Sequence, residues 1–153
     1  MVRMGSREAL GLCSHNETTM TNENSKGGLS FSGRIRSLGA ALNGIAIMVR
    51  TQHNAWIHAA ATAIVVSMGL TFGISSAEWR WLILAIASVW TAEALNTALE
   101  FLTDVASPNF HPVARKAKDV AAGAVLISAI GAACIGIAIF GPHLESRMES
   151  LGH

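Results

Sequence analysis

Between Arg50 and Glu78 the chain carries no Asp, Glu, Lys or Arg, and the stretch AWIHAAATAIVVSMGLTFGI within that interval is almost wholly apolar. A helix needs about 20 such residues to cross a hydrocarbon layer. Two more segments of the same kind follow, one from about Trp79 to Val105 and one, VAAGAVLISAIGAACIGIAIF, at 120–140. A chain of 153 residues holding three potential spans, with 51% hydrophobic and only 14% charged residues and a mean hydropathy of +0.42, is too apolar for a soluble domain of its size. The sequence predicts an all-α membrane protein. A formal net charge of +1 and the lack of any basic patch interleaved with aromatics give no case for a nucleic-acid partner. Cys13 and Cys134 lack metal-ligand spacing and do not read as a disulfide framework.

The organisation reads from the composition shifts. Residues 1–30 are polar and aperiodic, a flexible extension without the apolar core of a secretory signal, and Met20 is a second possible start. From Ser32, a candidate N-cap, the apolar residues Ile35, Leu38, Leu42, Ile45 and Val49 recur at three- and four-residue steps between Arg34, Arg36 and Arg50. That pattern suits an amphipathic surface helix, about 33–50, lying on an anionic membrane. It opens a membrane domain at 31–145 with transmembrane helices at about 55–74, 79–105 and 118–140, followed by a short tail at 146–153. The spans are rich in Ala, Gly and Ser, which lets helices approach closely in a packed bundle. Arg34, Arg36 and Arg50 precede the first span, and Arg115, Lys116 and Lys118 lie between the second and third. The positive-inside rule therefore places the N-terminus and the loop at about 106–118 of this multi-pass protein in the cytoplasm, with the C-terminus outside. Trp56, Trp79, Trp81 and Phe140 stand near span ends as interfacial anchors.

The second span holds an anomaly, EALNTALEFLTD at 93–104. At about 100° per residue, Glu93, Asn96, Glu100 and Asp104 share a sector of roughly 80°. Counted from Trp81 at 1.5 Å per residue, Glu93 lies about 18 Å along a core about 30 Å thick, with Glu100 near its cytoplasmic edge. An ionisable group at such depth costs at least about 2.5 kcal/mol and normally faces a bundle interior where it has work to do. Structural pairing with basic residues accounts for one such carboxylate, less readily for a four-member stripe. Lys118 and Asp119 follow across the loop, in HPVARKAKDVAAGAV. Hard oxygen ligands, a lysine and a membrane-depth carboxylate together suit magnesium-bound polyphosphate and a hydroxyl acceptor. No GxxxxGK[ST] loop, protein-kinase signature or GxSxG turn is present, so a kinase here is of an unrelated design.

EALNTALE at 93–100, Asp104 and HPVARKAKDVAAGAV at 111–125, with RSLGAALNG and NAWIH upstream, resemble the signature of the small prokaryotic integral-membrane diacylglycerol kinase and undecaprenol kinase family over about two thirds of the chain. The resemblance implies a homotrimer of three-span subunits, each with a surface helix, whose intersubunit sites use ATP and Mg²⁺ to phosphorylate a membrane lipid alcohol. It further implies Glu93 as general base, Asn96 as a positioning group, Glu100 as metal ligand, Lys118 and Asp119 at the nucleotide, and Asp104 in support. At Gln52 the family carries a glutamate, a second metal ligand; an amide carbonyl still coordinates Mg²⁺ but with one less negative charge. Asn54 and His58 also match. For them helix-end hydrogen bonding and interfacial packing stay open beside substrate contact. Two other readings of the same residues are a scaffold whose metal site Gln52 has disabled, and a proton or cation pathway lined by Glu93 and Glu100.

Overall fold

The computed structural model describes residues 31–151, and all secondary structure within it is helical. The order is α1 Phe31–Thr51, α2 His53–Phe72, α3 Ser76–Ala106 and α4 Pro112–Leu151. The N-terminal extension, with Cys13 and Met20, lies outside the described residues. The chain divides into two compact units at Ala41/Leu42, inside α1. In the first, residues 31–41 are helical and exposed, Ile35 and Leu38 included; Ser32 falls within the helix as its second residue instead of standing before it. The second unit, from Leu42 onward, contains the remaining helices and everything described below.

Three of the helices, α2, α3 and α4, are long and apolar enough to cross a membrane. Their ends are set by local chemistry. Gln52 is extended, with φ −102° and ψ 118°, and breaks the run of helix between α1 and α2, while its N–H still donates to the Met48 carbonyl at 2.9 Å. At the far end of α2, Gly73 takes the left-handed conformation, φ 65°, which non-glycine residues adopt only at a cost. Its N–H and that of Ile74 both reach the Gly69 carbonyl. The tight return also needs Gly69 itself: a β-carbon there would lie 2.9 Å from Trp79 Cη2 and 3.1 Å from Ile74 Cδ1. Helix α3 then opens on a capping box, in which the Glu78 N–H donates to Ser75 Oγ and the Ser75 N–H to Glu78 Oε2 at 2.7 Å.

Between α3 and α4 the connection shrinks to 107–111, shorter than the loop expected at about 106–118. Pro112 is the reason: it heads α4, a position where its missing N–H costs nothing and its fixed φ favours the helix. HPVARKAKD is therefore largely helical, and Lys118 and Asp119 stand on α4 itself, not at a loop mouth. The helix also continues past the apolar segment, through Pro142, to Leu151. Its 40 residues span about 60 Å, twice the hydrocarbon thickness.

Helix α3 packs along α4 and, less extensively, against α2. Buried Ile74, Leu82, Ile139 and Phe140 form the apolar core with Val65, Met68, Phe72 and Trp79 against them, and the Phe72 and Phe140 rings sit 6.1 Å apart. Two ion pairs define an antiparallel hairpin. His143 Nε2 of α4 meets Glu78 Oε1 at the start of α3, at 2.9 Å, and Lys118 near the start of α4 pairs with Asp104 near the end of α3.

Candidate functional site

The polar stripe of α3 grades from dry to wet. Glu93 is 0% exposed and the largest fully buried side chain described, Asn96 is buried, Glu100 half-buried and Asp104 exposed. Thr97 donates its hydroxyl to the Glu93 carbonyl at 2.9 Å, a bond within the helix that leaves the carboxylate untouched. Both Glu93 carboxylate oxygens lie buried without a hydrogen-bond partner. That is a costly state for a structural residue and an expected one for a group that meets a reactant.

Two turns along from Glu93, Glu100 gathers two amides. Gln52 Nε2 donates to Glu100 Oε2 at 2.7 Å, and Asn96 Nδ2 to Glu100 Oε1 at 3.4 Å. The break between α1 and α2 is what lets Gln52 reach a residue 48 positions away in sequence. Asn96 Oδ1, meanwhile, is buried and without a partner. One carboxylate, the orphaned Asn96 oxygen and the Gln52 amide, which would have to flip to present its oxygen, are hard donors of the kind that suits a small divalent cation. Among the described residues no cluster of three or more His, Cys, Asp and Glu is placed to hold a metal ion.

The remaining sequence-derived residues occupy the wet end. Lys118 is engaged by Asp104. Asp119 is 70% exposed and its ion-pair partner is Arg115, one turn back on the same helix, at 4.0 Å. The structure thus joins Gln52, Asn96 and Glu100 in one hydrogen-bonded group beside Glu93, and joins Lys118 to Asp104 in a second. Asn54 is exposed. His58 is the residue that sequence reasoning undervalued: it faces inward from α2, with Nε2 at 3.7 Å from Glu93 Oε2. A histidine on an otherwise apolar helix opposite a membrane-depth acid is the signal that could have paired them. Glu78 and His143 were missed as well; the S-x-x-E pattern of Ser75 and Glu78 announces the cap.

Comparison with known proteins gives this geometry its context. Residues 39–140, which include every helix-borne member of the site, match the family described as prokaryotic diacylglycerol kinase. The chain is 41% identical over 101 residues to the undecaprenol kinase of Bacillus subtilis, covering 66% of this chain and 82% of that protein. It is 35% identical over 106 residues to a diacylglycerol kinase of Synechocystis, covering 69% of this chain and 61% of that one. A diacylglycerol kinase of Helicobacter pylori is 42% identical over a shorter stretch of 53 residues, 35% of this chain and 41% of the relative. With its three long apolar helices and its buried acidic stripe inside the matched region, the chain belongs to the prokaryotic diacylglycerol kinase family of lipid kinases.

Proposed function

We propose that this protein transfers the γ-phosphate of ATP, bound with Mg²⁺, to the primary hydroxyl of a membrane lipid alcohol, diacylglycerol or undecaprenol, at the cytoplasmic face of the bacterial inner membrane. The observation that carries the reading is Glu93, a wholly buried carboxylate whose two oxygens have no hydrogen-bond partner. A lipid hydroxyl can reach such a base from within the bilayer, while a nucleotide arrives from water at the Asp104 and Lys118 end of the same stripe.

In the transfer the hydroxyl oxygen forms its bond to the γ-phosphorus, the bond from that phosphorus to the bridging oxygen of ADP breaks, and the hydroxyl proton passes to Glu93. Asn96 orients the reacting groups. Glu100 and Gln52 would hold Mg²⁺, which would offset the charge of the polyphosphate. Lys118 and Asp119 contact the nucleotide, and Asp104 steadies Lys118 until phosphate competes for it. The functional unit is a homotrimer with active sites between subunits, in keeping with the family and with the small-residue faces of the helices. The basic residues Arg34, Arg36, Arg50, Arg115, Lys116 and Lys118 favour a cytoplasmic N-terminus.

Labelled γ-phosphate transfer in mixed micelles, with diacylglycerol and undecaprenol offered in parallel, tests the reading. Label is expected in at least one lipid, and Glu93→Gln should reduce it by at least about 10²-fold, the low end for loss of a general base, while the oligomer and nucleotide binding persist. Absence of label from a folded oligomer would refute it.

A further inference from the structure

A buried carboxylate that accepts no hydrogen bond needs a counter-charge if it is to stay ionised, and removal from water without one is prohibitive. Three elements bear on Glu93. From its own helix the next acid along the polar stripe is Glu100, of like charge. Helix α4 carries Lys118, but that ammonium is engaged by Asp104, 11 positions or roughly 16 Å farther along α3 than Glu93. From α2 comes His58, and among the described residues it is the one basic side chain within ion-pair distance of Glu93.

His58 has a second surface. It lines a cavity of about 610 Å³ walled by α2, α3 and α4, otherwise almost entirely apolar, in which Val65, Leu82, Val89 and Phe140 are typical neighbours. The imidazole, 15% exposed, therefore stands where a hydrocarbon-lined space meets the acid. Packing alone does not call for a histidine there, since an apolar residue would fill that wall without a desolvated ring nitrogen.

We infer that His58 is a positioning residue for Glu93: its imidazolium supplies the positive counter-charge that holds the buried carboxylate ionised and aimed at the lipid hydroxyl. The inference rests on the assignment of Glu93 as the base, and it adds a residue on α2 to a site otherwise built from α3, α4 and the α1–α2 break. His58 takes no part in bond making; it acts through Glu93.

Two measurements on His58→Gln and His58→Ala test it, on oligomer of unchanged size with nucleotide binding checked. The first is the pH–rate profile. At neutral pH kcat should fall at least about tenfold, a fraction of what a general base contributes, with KM for Mg-ATP unmoved, and the loss should shrink as pH rises and Glu93 ionises without help. A merely structural role would lower the rate equally at every pH. The second is independent of turnover: the infrared band of ¹³C-labelled glutamate that disappears in Glu93→Gln. In the parent protein it should be a carboxylate band, converting to a carboxylic acid band in His58→Gln at neutral pH. A protonated Glu93 in the parent, or a carboxylate retained in His58→Gln, overturns the inference. If the parent phosphorylates neither lipid, the kinase reading fails while the infrared band still decides the pairing.

Discussion

At the scale of single residues, Gln52 is the most informative departure. Its amide occupies the place beside Glu100 where a carboxylate would stand close against another, and at 2.7 Å it neutralises by hydrogen bonding what a second acid would repel. Gln52→Glu should therefore separate two effects. In EDTA the variant should unfold at a lower temperature than the parent, because two half-buried carboxylates face one another. With Mg²⁺ the order should narrow or reverse, and half-saturation by Mg²⁺ should fall severalfold, since added ligand charge tightens binding of a hard cation. A variant needing more Mg²⁺ would place Gln52 outside the metal shell. Sequence made the acidic stripe legible because four polar residues at helical spacing stand out from hydrocarbon. Periodicity links no positions on different helices, so Gln52 and Glu100 came together only through the family resemblance, and the His58–Glu93 contact stayed hidden.

At the scale of elements, the three spans were plain from apolar run length alone, whereas the helical state of HPVARKAKD was not. Its polar residues show no apolar period, and the informative residue was Pro112, which reads equally as a loop proline or a helix start. The α2–α3 turn carries a constraint that hydropathy cannot express. Gly69 lies against the indole of Trp79, so Gly69→Ala forces the ring or the backbone to shift. The better helix propensity of alanine, about 1 kcal/mol, opposes a packing penalty of roughly 1–3 kcal/mol, and with a β-carbon at 2.9 Å from Trp79 Cη2 the penalty should prevail. Unfolding in a denaturing-detergent titration should show a destabilised variant; Gly69→Ala combined with Trp79→Phe should recover part of the loss. Equal stability of parent and Gly69→Ala would mean that the turn yields without cost.

At the scale of the whole molecule, the proposed topology makes a prediction that depends on neither substrate nor cofactor. Single cysteines at Ser107, in the α3–α4 connection, and at Ser76, at the start of α3, placed in a Cys13→Ser, Cys134→Ser background, should react with an impermeant maleimide from opposite sides of sealed vesicles. The Ser107 site should be labelled from the cytoplasmic face. Labelling of both from one side would refute the three-span arrangement, and exchanged sides would invert the orientation.

The two ion pairs at opposite ends of the α3–α4 hairpin have one more consequence. Sliding α4 by a single turn would displace it about 5.4 Å and break Glu78–His143 and Asp104–Lys118 together, so before substrate binds both pairs favour one register. The hairpin is a ruler with both ends pinned. Its graduations run from Lys118 and Asp104 at the wet end to Glu93 in the dry, and the spacing between them is carried by protein and not by lipid. Host bilayers of differing thickness would tilt or submerge this ruler as a unit without changing the distance it marks between water and the buried acid.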